Sequence, residues 1–268
     1  MIGRIFTNIA AIAGIAGLAL TSSVAAQAQE FGSPELIAAA KKEGKLVYYT
    51  ANFAEVEQRV IKEFQKRFPE IKVEMVRAPG GQLITRVKTE AAAGKLIGQV
   101  FARSGGTTWT RIMFERQVLG EDYWAKQAAT HPVLYPSGAP MSDAMVRGEI
   151  GMGPLIYNAV YPKQKEGAPL KVVFPPEGVP ANPYATGIPK TAKNVNAARL
   201  YLNWCLSKEG QTFMIKEQGN LTSLKEVPLN PEGFDPKVVR VWYPNFDQYV
   251  KLHAEWVAAW DKTFGYRQ

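Results

Sequence analysis

One cysteine and two histidines are all that the 268 residues supply. Cys205 alone cannot form an intramolecular disulfide, and no cysteine-based zinc site can be assembled around it. His131 and His253 are too few for a His-rich metal site and leave His-dependent catalysis poorly supplied. Also missing are a Gly-x-Ser-x-Gly elbow, an HExxH helix, a phosphate-binding P-loop and any Cys–His pairing by motif. An enzyme is therefore not the expected reading, and no catalytic residue, metal ligand or cofactor is assigned. An exported hydrolase with an unfamiliar site stays open as an alternative. The formal charge of +8 is scattered through amphipathic patterns rather than gathered into a basic run. Nucleic acid is not expected as a partner, and solubility with weak steering of anions is the better account of the charge.

What is present is the composition of a globular protein with a sizeable core, 46% hydrophobic and 21% charged. The only long apolar run is N-terminal. Met1–Thr7 carries Arg4 and no acid, Ile9–Leu20 is apolar and small, and Ala26-Gln27-Ala28 offers small residues for cleavage. The segment 1–28 reads as a secretory signal peptide, too short and alanine-rich for a good membrane span. Its removal takes one arginine and no acid, bringing the formal charge from +8 to +7. No cysteine lies near the cleavage site, so lipid attachment there is excluded. The mature chain is expected to be exported and soluble.

Beyond it, helices and strands alternate. Pro34–Glu43 is predicted helical and ended by Gly44, and Lys45–Thr50 follows as a strand. Val56, Val60, Ile61, Phe64 and Phe68 form one helical stripe stopped by Pro69. Ile71, Val73 and Met75 alternate with charged residues as a second strand, and a third helix spans 82–93. Further helices are predicted over 107–119, 122–129, 139–147, 196–206, 208–218 and 246–264. Further strands are predicted over 97–102, 133–135, 150–156 and 171–174. This is the pattern of an α/β sheet with crossover connections, where ligands sit at the carboxyl ends of strands.

Two loops occupy such ends. Tyr49, Thr50 and Asn52 follow the first strand, with ligand contact and loop packing both open. Ser104, Gly105, Gly106, Thr107 and Thr108 lead from an apolar strand into a helix. Their backbone N–H groups and three hydroxyls converge at the positive end of a helix dipole, which favours an anion. Read locally, the same residues also fit an ordinary N-cap after a glycine turn.

Several strings together resemble a bacterial periplasmic solute-binding protein of ABC transporters, in the broad ferric-iron, thiamine and phosphonate branch. They are Leu36–Thr50, Phe64–Pro69, Ser104–Thr108, Tyr135–Gly138, Arg147–Glu149 and Ala197–Gln211. The resemblance implies a type II fold of two α/β lobes, a ligand cleft between them and hinge closure. By it, lobe 1 comprises 29–96 plus about 190–268, and lobe 2 with crossing segments comprises 97–189. It also implies a periplasmic location, a small-molecule solute and an inner-membrane permease as partner, and the chain is expected to be a monomer. The passage from Gly94 to Ile97 is shorter than the family pattern and reads as an internal deletion in the first lobe.

In the family, the loop matching Ser104–Thr108 commonly lines the cleft and holds an anionic group. Ser137, Tyr157 and Tyr184 join it as cleft candidates, with helix capping or interlobe packing as their ordinary roles. A ferric site in the family resembles an adjacent tyrosine pair, which Leu155–Tyr161 lacks, so iron is disfavoured. The expected solute is a small organic anion: a phosphonate, phosphate ester or carboxylate. Ferric iron and a degenerate, non-transport binding module are the alternatives.

Overall fold

In the computed structural model, the described residues are 30–265 apart from 79, 105–106, 136–137, 182–183, 220, 223, 225–226, 228–233 and 236. The expected signal peptide lies outside them.

The chain opens with α1 (Pro34–Glu43), started by Ser33, whose hydroxyl accepts from Leu36 N, and stopped by Gly44 in the left-handed conformation. It continues through β1 (Lys45–Thr50), α2 (Ala54–Arg67), β2 (Lys72–Arg77) and α3 (Gly80–Ala92). β3 (Val100–Ser104) then leads into α4 (Thr107–Phe114), which runs on as one π turn, Glu115–Leu119. Four helices and two short strands follow: α5 (Tyr123–Ala128), α6 (Gly138–Val146), α7 (Tyr157–Lys165), β4 (Val179–Pro180), β5 (Tyr184–Gly187) and α8 (Val195–Leu206). The chain closes with α9 (Lys208–Gln218), β6 (Val241–Trp242) and α10 (Phe246–Phe264).

The main sheet runs β2-β1-β3-β5, with β2 and β3 parallel to β1 and β5 antiparallel to β3. β3 and β5 fall within 97–189, yet both hydrogen-bond into the sheet built on β1. Gln99 locks the start of β3: its backbone N–H donates to Val47 O, and its buried side-chain Oε1 accepts from Val47 N. A side-chain amide thus extends the ladder one rung below Val100.

Alternation along β1 sends neighbours to opposite faces. Leu46 and Tyr48 enter the larger core with Val60, Phe64, Leu200, Tyr201 and Trp204, while Val47 and Tyr49 pack with Leu83 beneath α3. Phe64 meets Tyr201 and Trp204 edge to face, at 5.0 and 5.7 Å. The sheet is therefore covered by α1, α2 and α8 on one side and by α3 on the other.

Three expected strands do not form. Residues 133–135, 150–156 and 171–174 are irregular, and the apolar side chains Val133, Met152 and Val173 are 66%, 86% and 76% exposed. Each run fits a pleated surface locally, but a strand exists only by pairing, and none of the three meets a partner. The pairing that does occur here is between β4 and β6, parallel, joining segments about sixty residues apart.

Candidate functional site

The carboxyl ends of β1, β2 and β3 form one edge. Thr50 stands opposite Arg77 of β2 and Ala102 of β3, and Ser104 stands opposite Tyr184 of β5. The register therefore sets Thr50, Ser104 and Tyr184 at one end of the sheet, with Asn52 two residues beyond Thr50 and α4 starting three residues beyond Ser104. These come from three separate stretches of sequence, 50–52, 104–108 and 184. Gly105, Gly106 and Ser137 lie outside the described residues.

Asn52 is tied into this edge through three groups. Its N–H donates to Thr50 Oγ1 at 3.1 Å, its Nδ2 donates to Glu57 Oε1 at 2.6 Å, and its carbonyl accepts from Arg77 Nε at 3.2 Å. Thr50 is fully buried, so its hydroxyl serves the loop from below. Arg77 is exposed and brings a cation to the edge.

Glu57 lies beneath, in the first turn of α2 and only 3% exposed. Burial pushes its carboxyl above the usual range, opposed by the hydrogen bonds from Asn52 and Tyr48. The sequence reading missed it, although a signal was there. Glu57 stands three residues before Val60 and four before Ile61, so a carboxylate occupies the apolar stripe.

Tyr49 is placed differently from the loop that follows it. Its side chain is fully buried under α3, and its hydroxyl donates to Glu90 Oε2 at 2.7 Å. Arg86 lies over the ring at 5.3 Å and pairs with Glu90 at 2.7 Å. Burial, then the Glu90 contact, pushes the phenol up to about 12. The outer face of α3 (Gln82, Thr85, Arg86, Thr89 and Glu90) lines a wide, shallow groove of about 670 Å³.

Tyr157 sits at the start of α7, stacked on Tyr161 at 5.6 Å, and both rings close on Gly219 at the end of α9. Tyr161 donates to Lys216 O. This is packing of α7 on α9. Trp204 is fully buried with its indole N–H on Glu209.

Comparison with known proteins agrees with this architecture. Residues 115–238 match the family model described as bacterial extracellular solute-binding protein. Among curated proteins, the chain is 37% identical over 116 residues to the spermidine/putrescine-binding periplasmic protein 1 of Haemophilus influenzae, covering 42% of this chain and 31% of that one. It is 29% identical over 153 residues to an uncharacterized protein of the same organism, covering 55% and 44%. The chain thus spans less than half the length of the curated relatives it matches.

Among solved structures, it resembles the periplasmic binding protein AfuA of Actinobacillus pleuropneumoniae with fructose-6-phosphate bound. The TM-score is 0.63 at 18% identity, over 84% of this chain and 99% of the other. It also resembles the ferric binding protein of Campylobacter jejuni, with a TM-score of 0.62 at 16% identity, over 81% and 99%. At such identities these likenesses speak for the fold, which in both is that of two-lobed periplasmic binding proteins. The family match over residues 115–238 and the likeness to these structures agree on the type II fold of periplasmic binding proteins.

Proposed function

We propose that the chain captures a small organic anion (a phosphonate, phosphate ester or carboxylate) at the carboxyl edge of the β2-β1-β3 sheet and hands it to an inner-membrane ABC permease. The observation that carries this reading is the register. Thr50 pairs with Ala102, so the Thr50–Asn52 loop and the segment that leaves β3 toward α4 start from the same end of adjacent strands, which supports this reading. The first turn of a helix offers unpaired N–H groups and a partial positive charge, and Arg77 adds a full one on the same edge. Ser104, Gly105, Gly106, Thr107 and Thr108 form the cradle in this reading, with Asn52 and Tyr184 beside it. Thr50 supports the loop from below, and Tyr49 and Tyr157 have packing roles. A periplasmic location after removal of residues 1–28, capture without turnover and a monomeric state belong to the same proposal.

A second reading rests on the curated relative, whose printed ligands are spermidine and putrescine. In that reading the buried Glu57 supplies negative charge to a polyamine.

Thermal unfolding of the mature protein, measured against phosphonates, phosphate esters, carboxylates, polyamines and ferric citrate, separates these readings. An upward shift with an anion, lost in a Thr107→Val, Thr108→Val double variant, is expected. No shift with any anion overturns the proposal. A shift with putrescine or spermidine alone favours the second reading, and consumption of any stabilising compound on prolonged incubation would reveal an enzyme.

A further inference from the structure

Three of the chain's seven methionines, Met141, Met145 and Met152, fall within one short stretch, and the other four are scattered. Met141 and Met145 stand four residues apart in α6, so their side chains share one face of the helix. Past the end of α6 the chain turns, with Gly148 N–H on Met145 O and Glu149 N–H on Ala144 O. The segment 150–155 then runs back along α6, and two close approaches fix its course. A Cβ on Gly138 would lie 3.4 Å from Leu155 Cδ2, and one on Gly153 would lie 3.0 Å from Met141 Sδ and 3.2 Å from Met145 Cε. The bare backbone of Gly153 therefore lets both thioether arms close on one spot.

Met152 directly precedes that glycine and is 86% exposed. Its side chain is unbranched, with three rotatable bonds. Met141 and Met145 are half-buried, so solvent reaches the spot they share. None of the three belongs to either hydrophobic cluster among the described residues.

We propose that Met141, Met145 and Met152 form a binding site for Cu(I), a soft monovalent cation, held by three thioether sulfurs. Met152 swings in from solvent as the third ligand. Thioethers are neutral, soft donors that select Cu(I), whereas Ca²⁺ and Mg²⁺ take oxygen ligands and Zn²⁺ takes thiolate and imidazole. Neither histidine and no cysteine lies between Gly138 and Leu155. The site is independent of the solute edge described above.

The charged groups around the hairpin are matched in sign. Arg147 pairs with Glu149 at 2.6 Å, Asp143 pairs with Lys163 at 2.5 Å, and Tyr135 lies near Arg147. No excess positive charge therefore opposes a cation. The hydrogen bonds from Lys163 and Arg147 hold both carboxyls below their ordinary values, so they stay ionised at pH 5. A thioether itself does not titrate, unlike the thiolate, imidazole and carboxylate ligands whose metal affinity falls with pH.

Silver nitrate is the probe, since Ag(I) shares this chemistry and is stable in air. Calorimetric titration of the full chain in nitrate buffer should show one ion bound. In protein labelled at the methionine methyls, the NMR signals of Met141, Met145 and Met152 should move together. Those of Met75, Met113 and Met214 should stay. Met141→Leu, Met145→Leu and Met152→Leu conserve volume, and each should weaken binding about tenfold or more by removing one ligand of three. The triple variant should bind no ion, Met214→Leu should bind as the parent does, and affinity should be equal at pH 7 and pH 5. Competition with bicinchoninate for Cu(I) kept reduced by ascorbate should rank the variants in the same order.

Binding that persists in the triple variant, at Cys205 or elsewhere, overturns the assignment. So does binding lost between pH 7 and pH 5, which would reveal a titrating ligand. Full affinity in Met152→Leu overturns the three-sulfur site, and no bound Ag(I) overturns it altogether. If the triple variant does not fold, judged by circular dichroism, the methyl signals of the parent protein still decide: movement at other methionines, or at none, rejects the site.

Discussion

Tyr49 gives its hydroxyl to Glu90 at 2.7 Å from a position in the middle of the sheet, and so fastens α3 to β1. Glu90 in turn holds Arg86, whose guanidinium covers the same ring. A tyrosine near the end of the first strand invites a ligand-binding reading, but this side chain is buried and spends its hydroxyl on Glu90. Tyr49→Phe keeps the ring and removes one hydrogen bond from a carboxylate that stays partly wetted. The expected loss is about 1 kcal/mol, a fall in Tm of a few degrees. Affinity for an anion that stabilises the parent protein should be unchanged. A loss of affinity tenfold or larger would return Tyr49 to the site.

Glu57 has a signature in the pH dependence of stability. Its carboxyl is pushed above the ordinary value of 4.5 by burial, so the folded state keeps a proton that the unfolded state has already released. Stability from this group is therefore present below the unfolded value and declines as pH rises from there through the raised folded value. Glu57→Gln abolishes this slope. The other buried carboxyl raised in the same way, Glu115, is untouched in the variant, so the difference between the two proteins isolates Glu57. Tm measured from pH 4 to 7 should show variant minus parent rising with pH. Parallel curves would mean that the carboxylate is not desolvated.

The end of α9 depends on glycine. Gly219 has φ +69°, and a Cβ there would lie 2.6 Å from Cγ of Tyr161 and 2.7 Å from Cε1 of Tyr157. Gly219→Ala adds left-handed strain of about 1 kcal/mol to overpacking of about 1–3 kcal/mol. The two rings cannot both withdraw without separating α7 from α9. Urea unfolding should show a loss of about 2–4 kcal/mol on these grounds. A Gly219→Ala protein as stable as the parent would place the tyrosines elsewhere.

How far the sequence foretold all this depends on whether a feature is local. The span predicted for α10, 246–264, is the one observed, because its apolar stripe is contained within it; the structure adds the Asn245 cap. The start of α9 is equally local: Ser207 caps it, its hydroxyl accepting from Gly210 N. Strand partners are another matter. Nothing within 97–104 says that it will lie beside β1 rather than among the apolar segments that follow it, and nothing in Val179-Pro180 points to Val241-Trp242. The site was legible in the same proportion. That the Ser104–Thr108 and Thr50–Asn52 stretches follow strands is a local matter and shows in the sequence, in a Gly-Gly turn and in the end of an apolar run. Glu57 was passed over because a glutamate in a helix reads as solvated unless its place on the stripe is counted.

The three unpaired apolar segments give the most direct test of the second half of the chain. Val133, Met152 and Val173 stand 66%, 86% and 76% exposed, so their side chains keep most of their contact with water on folding. Val133→Thr, Met152→Gln and Val173→Thr should each change unfolding free energy by no more than about 0.5 kcal/mol, the range for surface positions. Combined, they should raise solubility by removing exposed apolar surface. If these segments instead formed buried strands of a second sheet, each change would place a polar group in a core. The cost would then be about 1–3 kcal/mol per site. Three small effects that add would keep these segments outside any core. One large effect would identify which segment has found a strand partner.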